Sequence, residues 1–206
     1  TSKHIVDMIQ AGWDVVIGHG NGPQVGFILQ KAELAEKEIG LAMAPLDVCG
    51  AQSQGQIGYM LAQNLQNELK KRGIDKPVAC VVEQTVVDKN DPAFQNPSKP
   101  IGGFMTEAEA KAKAKSEGWT VIEDAGRGWR RVVPSPIPQE IVELEAIKTL
   151  IDAGVVTISV GGGGIPVIRN DKGELEGVAA VIDKDFGSSL LARNIKADML
   201  LISTAV

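Results

Sequence analysis

The chain has 206 residues, of which 44% are hydrophobic and 23% charged, as is ordinary for a soluble globular protein. Its net charge of -5 argues against nucleic-acid binding as a main task. No apolar run approaches the roughly 18 residues that cross a bilayer, which argues against a membrane partner. Cys49 and Cys80 lack metal-ligand spacing, so we expect free thiols and a cytoplasmic location.

Taken in chain order, apolar runs predict buried strands and amphipathic segments between them predict helices. Strands are expected at residues 13–17, 78–82, 155–160 and 199–203. Helices are expected at residues 24–39, 48–71, 106–116, 139–153 and 184–195, after the tail of another helix over 1–11. Near-continuous apolarity is typical of strands covered on both faces. The alternation therefore predicts an α/β fold whose sheet is mainly parallel, with helices on both sides.

A glycine-rich loop, GHGNGPQVG at residues 18–26, follows the first predicted strand. Such glycines let the backbone take positive φ and leave room for a ligand. The helix expected from Gln24 would aim free N–H groups and its positive dipole end at that space. The loop therefore indicates an anion site for a phosphate or carboxylate, with a simple chain turn as the alternative. His19 within it is either a ligand donor or a packed loop residue.

Residues 88–138 depart from the alternation of strands and helices. They contain several prolines, a capping-box pattern that opens at Thr106, and a charged, aromatic run at 124–131. We interpret this excursion as a lid over a site, and a plain surface insertion is the alternative. Lys99 lies between two prolines, and so stiff a turn favours an aimed charge over an ordinary solubilising lysine.

Two later loops lie where predicted strands end, which is the edge at which open α/β sheets bind ligands. Four consecutive glycines occupy residues 161–164 and could touch a ligand through the backbone, unless they form a flexible hinge. Lys184, between Asp183 and Asp185, stands at an expected helix start. It could bring an ammonium group beside a phosphate, or it could be a solvated lysine next to an N-cap aspartate.

Several kinds of site are excluded by what the chain lacks. It has no G-x-x-x-x-G-K-[ST] loop, so a P-loop nucleotide site is not expected. His4 and His19 are its only histidines, and no cysteine lies near them in sequence. Neither a Ser-His-Asp triad nor a structural zinc site is therefore predicted, and no metal ligands are assigned.

Six motifs in this chain resemble those of the carbamate kinases, a branch of the amino acid kinase family. They occur in the family's order, at residues 20–26 (GNGPQVG), 47–55 (DVCGAQSQG), 96–102 (NPSKPIG), 123–136 (EDAGRGWRRVVPSP), 162–166 (GGGIP) and 181–185 (VIDKD). The stretch 124–136 separates carbamate kinases from other members of the family. The resemblance is therefore specific, and it covers nearly the whole chain.

The resemblance implies a three-layer αβα sandwich with a mainly parallel central sheet. It implies one amino acid kinase domain over residues 1–206, with 88–138 as a protruding lid subdomain, and assembly as a cytoplasmic homodimer. Family members begin with a strand and a Gly-Gly-Asn loop and continue past the last predicted strand into the adenine pocket. Since residues 1–206 hold neither part, we expect a domain that is truncated at both ends.

The activity implied is reversible phosphoryl transfer between carbamoyl phosphate and ADP, giving ATP and carbamate, as in arginine fermentation. Mg²⁺ would lie between the phosphates of the nucleotide. By analogy, two glycine segments would hold the carbamoyl phosphate end, namely Gly20, Asn21, Gly22, Gly162, Gly163 and Gly164. Lys184 would bridge the transferring phosphoryl group, Asp185 would orient that lysine, and Lys99 would add positive charge from the lid.

Three other functions are weighed against this one. The first is another amino acid kinase that acts on a carboxylate, which the stretch 124–136 disfavours. The second is a relative that binds ligand without catalysis. The presence of Lys99, Lys184 and Asp185 weighs against it, and the missing terminal elements weigh for it. The third, a nicotinamide-dependent dehydrogenase, is distant because no acidic strand end follows the glycine loop at the expected distance.

Overall fold

The computed structural model describes residues 1–203. Its helices are α1 (Ser2–Gln10), α2 (Gly22–Ile39), α3 (Leu46–Lys71), α4 (Glu107–Glu117), α5 (Leu144–Asp152) and α6 (Lys184–Asn194). Its strands are β1 (Val16–Ile17), β2 (Val78–Cys80), β3 (Gln84–Val87), β4 (Lys99–Met105), β5 (Thr120–Glu123), β6 (Trp129–Val133), β7 (Pro138–Ile141), β8 (Val156–Ile158), β9 (Ile165–Arg169) and β10 (Leu175–Gly177). Short 3-10 helices occupy Pro92–Phe94 and Gly161–Gly163.

A parallel three-stranded sheet in the order β1-β8-β2 forms the centre of the fold. One of its faces packs against α1 and α3, where Ile158 of β8 meets Leu65 and Leu69 of α3. The opposite face packs against α5 and α6, where Val16 of β1 lies against a cluster that includes Ile147. Both faces are thus covered by helices, and the predicted αβα sandwich with a parallel centre is confirmed.

A second sheet, in the order β10-β9-β3-β7, is mixed. Its strand β3 runs parallel to β9 but antiparallel to β7, and β9 pairs antiparallel with β10. The sequence did not predict these antiparallel pairs. The sheet follows directly on the central one, because β3 begins only a few residues after β2 ends.

The antiparallel sheet β4-β6-β5 lies within the segment interpreted as a lid. Helix α4 packs beside β5 and β6, and β4 packs against α2. The predicted capping box is confirmed. The Thr106 N–H donates to Glu109 Oε2 at 2.8 Å, and the Glu109 N–H donates to Thr106 Oγ1 at 3.3 Å. We continue to treat residues 88–138 as a predicted lid.

Two predicted elements are wrong. The helix expected over 139–153 begins only at Leu144, and Pro138–Ile141 forms β7 instead. Prolines hold this approach extended, which allows it to pair with β3. The strand expected over 199–203 is absent: no described strand pairs with it, and its Leu201 side chain is 68% exposed. A strand needs a hydrogen-bonded neighbour, so apolarity alone does not create one.

The remaining predicted elements differ mainly at their ends. The first strand shortens from 13–17 to Val16–Ile17, and α2 begins at Gly22, two residues before Gln24. The end of the apolar C-terminal segment, residues 204–206, lies outside the described residues. Within the described part of the chain, no helix combines the length and apolarity that crossing a membrane requires.

Candidate active site

The N-termini of α2 and α6 meet at one place beside the central sheet. A Cβ atom on Gly20, in the loop before α2, would lie 3.0 Å from Lys184 Cδ at the start of α6. The aliphatic stem of Lys184 therefore rests on the backbone of the first glycine loop. Both helices direct their positive dipole ends and free N–H groups towards this place, which favours an anion.

Helix α6 begins where it does because Asp183 caps it. The Asp185 N–H donates to Asp183 Oδ1 at 2.9 Å. One turn later, a Cβ on Gly187 would come 2.7 Å from the Gly163 carbonyl oxygen, so the helix lies directly on the second glycine segment. Asp183 is therefore an N-cap aspartate, as one of the two interpretations of this motif expected. The cap also fixes the backbone from which the Lys184 side chain extends.

Two lysines lie on either side of that cap. Lys99 Nζ, from the first residue of β4, donates to Asp183 Oδ2 at 2.7 Å. Lys184 Nζ donates to Asp185 Oδ1 at 3.1 Å. The hydrogen bond from Lys99 holds the pKa of Asp183 below its usual value, although burial opposes the effect. Strand β4 and helix α6 thus bring one ammonium group each to the start of α6, where Lys99 pairs with Asp183 and Lys184 pairs with Asp185.

The first glycine loop retains free hydrogen-bond donors. Among residues 1–203, no group accepts a hydrogen bond from the N–H of Gly20, Asn21 or Gly22. The N–H groups of Gly20 and Asn21 precede α2, that of Gly22 belongs to its first residue, and the next residue, Pro23, has no N–H to offer. An anion in this place would therefore meet three unused backbone donors.

In the second glycine segment, the N–H groups of residues 162–164 already donate to backbone carbonyls of the protein. Gly162 N–H donates to the His19 carbonyl at 2.7 Å, Gly163 N–H to the Val160 carbonyl at 3.2 Å and Gly164 N–H to the Gly161 carbonyl at 3.2 Å. Glycine is required at these positions because a side chain would collide with neighbouring atoms. A Cβ on Gly162, where φ is +66°, would collide with the Asn21 side-chain amide, and one on Gly163 would come 2.8 Å from the Ile182 carbonyl oxygen. The segment thus brings Asn21 and α6 together.

Helix α3 supports the first glycine loop from behind. The buried Asn21 side chain donates through Nδ2 to Ser53 Oγ at 2.9 Å. Ser53 Oγ in turn donates to the Gly50 carbonyl at 2.7 Å. The next residue, Gln54, donates to the Gly161 carbonyl at 3.1 Å. A single helix therefore positions both glycine segments.

A buried carboxyl group lies beneath the second segment. Glu83 is fully buried, its N–H donates to Gln54 Oε1 at 3.0 Å, and Thr85 Oγ1 donates to Glu83 Oε2 at 3.2 Å. A Cβ on Gly164 would come 2.8 Å from Glu83 Oε1. Burial raises the pKa of Glu83 to about 7. Sequence reasoning missed this residue, because a glutamate after an apolar run carries no motif.

His19 is held in the loop by its own ring. Its Nδ1–H donates to the Gly20 carbonyl at 3.1 Å, while its buried Nε2 has no partner among the described residues. Burial lowers the pKa of His19, so the ring is neutral at pH 7. The ring packs against Gly161, where a Cβ would strike it. This supports the interpretation as a packed loop residue.

The segments that carry the predicted site residues touch one another. Gly20, Asn21 and Gly22 form the first loop, Gly162, Gly163 and Gly164 form the second, and both contact the start of α6. The start of α6 holds Lys184 and Asp185, and Asp183 ties it to Lys99 of the lid sheet. Within residues 1–203, no cluster of three or more His, Cys, Asp or Glu side chains could hold a metal ion.

Comparison with known proteins gives a consistent result. The model of the amino acid kinase family matches residues 1–206. A carbamate kinase of Thermococcus kodakarensis is 58% identical over 207 residues, which cover the whole of this chain and 65% of that protein. A carbamate kinase-like protein of Escherichia coli, YqeA, is also 58% identical over 207 residues, covering the whole of this chain and 66% of that protein.

A solved structure agrees with these sequence relatives. Carbamate kinase from Giardia lamblia bound to AMP-PNP superposes with a TM-score of 0.87 at 48% identity, over 96% of this chain and 62% of that one. The chain therefore spans a little under two thirds of the length of the relatives that it matches.

Proposed function

This chain belongs to the amino acid kinase family, and we propose that the protein is a carbamate kinase. The reaction would be reversible phosphoryl transfer between carbamoyl phosphate and ADP, giving ATP and carbamate. The observation that carries the proposal is the meeting of two helix N-termini with Lys99 and Lys184 around Asp183. The relatives' names favour this reaction over the alternative of a kinase for another carboxylate.

The chemistry explains why such a site suffices. Phosphoryl transfer passes through a loose transition state whose charge lies on the equatorial oxygens, so the protein mainly positions groups and supplies positive charge. Carbamate is already a competent nucleophile, and no strong base is needed to activate it. A neutral, packed His19 and the absence of a catalytic triad are compatible with that requirement.

Each predicted residue has a physical role in the proposal. The free N–H groups of Gly20, Asn21 and Gly22 would donate to the phosphoryl oxygens of carbamoyl phosphate. Lys184 would bridge the phosphoryl group in flight, with Asp185 orienting its ammonium group. Lys99 would add a second positive charge when a ligand oxygen competes with Asp183.

The second glycine segment would act mainly through shape. Since the N–H groups of Gly162, Gly163 and Gly164 are already used, the segment would keep Asn21 and α6 at the distance that the phosphoryl group requires. An adenine nucleotide is supported as a ligand by the AMP-PNP complex of the Giardia relative. Mg²⁺ would reach the site on the nucleotide's phosphates, where protein sites commonly supply only one or two carboxylates. When bound, it would neutralise charge on those phosphates.

A homodimer in the cytoplasm, acting in arginine fermentation, forms part of the same proposal. Part of α3 is buried in the fold, but its Val48, Tyr59 and Met60 side chains are exposed, Tyr59 to 63%. Phe27 and Leu34 of α2 are each 59% exposed as well. Large apolar side chains in such positions are typical of a partner surface, and here the partner would be a second copy of this chain.

The test is ATP formation by the intact protein from ADP, Mg²⁺ and carbamoyl phosphate. Losing one preorganised charge donor typically costs on the order of 10²–10³ in rate, so Lys184→Ala is expected to fall at least about 100-fold. Lys172→Ala is the matched control. Lys172 is exposed in the turn between β9 and β10, so this variant should retain full activity. A Lys184→Ala variant within about tenfold of the parent would refute the role. Faster phosphorylation of acetylglutamate or aspartate would refute the substrate.

A further inference from the structure

A cavity of about 230 Å³ lies between α2 and the lid sheet, apart from the site described above. Its walls come from α2, β4, α4 and β6, together with Trp119 before β5. None of the predicted site residues lines it. Its volume is below the roughly 300–1,000 Å³ of sites for drug-sized molecules, so it suits a single small metabolite.

One wall of the cavity carries a guanidinium group without a polar partner. The Arg131 guanidinium carbon lies 4.6 Å from the centroid of the Trp119 ring, and Lys113 Nζ lies 4.8 Å from the same centroid. Lys113 is paired with Glu117. Arg131 forms neither a hydrogen bond nor an ion pair with any described residue, and burial lowers its pKa. An Arg fork in this state is suited to a planar carboxylate.

Helix α2 contributes a carboxylate to the same cavity, and it also lacks a hydrogen-bonded partner among the described residues. Glu33 of α2 is half-buried and forms no hydrogen bond among the described residues. Burial raises its pKa, against the opposing effect of Lys113 and Arg131. Glu33 and Arg131 lie close enough to stabilise each other's charged form, but neither side chain has a hydrogen-bonded partner among the described residues. Partly buried charges without such partners are costly, and a ligand that bridges the two groups would supply them.

We propose that this cavity binds a small zwitterion of the α-amino-acid type. Its ammonium group would donate to Glu33, and its carboxylate would accept from Arg131. Leu29, Ile101 and Phe104 supply apolar walls, which favour an aliphatic side chain on the ligand. A simple anion would leave Glu33 unmatched, and a simple amine would leave Arg131 unmatched.

The position of the cavity connects it to the active site. Helix α2 starts at the first glycine loop, and β4 starts at Lys99. The two elements approach closely, since a Cβ on Gly26 would lie 3.2 Å from Gly102 N. A ligand held by Glu33 on α2 and Arg131 beside β4 would brace the lid sheet against α2. Occupancy of the cavity is therefore expected to change the KM for the phosphorylated substrate, a consequence that rests on the proposed function.

Calorimetry on the intact protein tests binding without any reference to turnover, so its failure is distinct from failure of the proposed reaction. The probe is L-leucine, and the matched probes are 4-methylpentanoate, which lacks the ammonium group, and 3-methylbutylamine, which lacks the carboxylate. We expect saturable binding of leucine and at least tenfold weaker binding of each matched probe. Absence of saturable leucine binding below about 10 mM, or equal binding of either matched probe, would overturn the proposal.

Variants test the two charged walls. Glu33→Gln and Arg131→Gln should each weaken leucine binding at least tenfold. Glu36→Gln and Arg193→Gln, at exposed positions outside the cavity, are the controls and should leave it unchanged. Arg131→Lys keeps the charge over Trp119 but loses the fork, so it should bind with intermediate affinity even if Arg131→Gln folds poorly. Binding that is insensitive to Glu33→Gln and Arg131→Lys would place leucine elsewhere and overturn the assignment.

Discussion

The buried Glu83 should make the stability of this protein depend on pH in a defined direction. Its carboxyl group is fully buried under the second glycine segment, and burial raises its pKa from 4.5 to about 7. Glu83→Gln replaces it with a neutral group of the same shape. The new amide could still donate towards Thr85 and accept from Gln54, which contact the carboxyl group now.

The sign follows from where the proton is held. Between pH 4.5 and 7 the folded state keeps a proton on Glu83 that the unfolded state has released. Stability is therefore greatest below the unfolded pKa and is lost as the pH rises through the folded pKa. Each unit of separation corresponds to about 1.4 kcal/mol, so the loss is about 3 kcal/mol by pH 8.5 and less than about 1 kcal/mol at pH 5.

Denaturant unfolding of both proteins at pH 5, 7 and 8.5 measures this difference. Glu83→Gln should be close to the parent at pH 5 and more stable by up to about 3 kcal/mol at pH 8.5. Other titrating groups are shared by the two proteins and cancel in the difference, except that the charge of Glu143 acts on Glu83 in the parent alone. Glu36→Gln, at an exposed site, is the control and should follow the parent at every pH. Parallel pH profiles for parent and Glu83→Gln would refute the reasoning.

Three further changes test particular contacts. Thr106→Ala removes the capping box of α4 and should lower the free energy of unfolding by about 1 kcal/mol, as measured in urea; an unchanged midpoint would contradict it. Gly162→Ala forces a Cβ at φ +66° into the Asn21 amide, so it should cost about 1–3 kcal/mol and reduce ATP formation. Gly73→Ala, at φ +69° with open space around it, shares the backbone strain without the clash and should leave ATP formation unchanged. Lys99→Met should raise the pKa of Asp183 in a carboxyl NMR titration, and Lys89→Met should not.

The fold could be predicted where a buried element leaves a continuous apolar run or a long amphipathic pattern in the sequence. The run at 155–160 gave β8, which is covered on both faces, and the long amphipathic pattern at 48–71 gave α3. Prediction failed where pairing partners decide the outcome. Pro138–Ile141 has residues that suit either a helix or a strand, and its contact with β3 selects the strand. The run 199–203 is apolar enough for a strand but pairs with no described neighbour.

The site could be predicted in its parts but not in its connections. Glycine loops and a lysine at a helix start are local patterns, and they drew attention to Gly20 and Lys184. The pairing of Lys99 with Asp183 joins residues 84 positions apart, and no local spacing encodes it. The role of Glu83 could not be predicted from the sequence for a related reason. Its burial and its contacts depend on Gln54 and Gly164, which are distant in sequence but close to it in space.

The two glycine segments look alike in sequence, but the first offers backbone N–H donors and the second provides space for close packing. In the first, three N–H groups have no acceptor among residues 1–203, and they lie where α2 begins, next to the start of α6. In the second, every N–H from Gly162 to Gly164 is already bonded, and the missing side chains are what matter. An anion in this site would therefore gain its electrostatic stabilisation from the first loop, the two helix ends, Lys99 and Lys184. The second segment sets the distance between those groups, which is why adding a single methyl group there should disturb both stability and turnover.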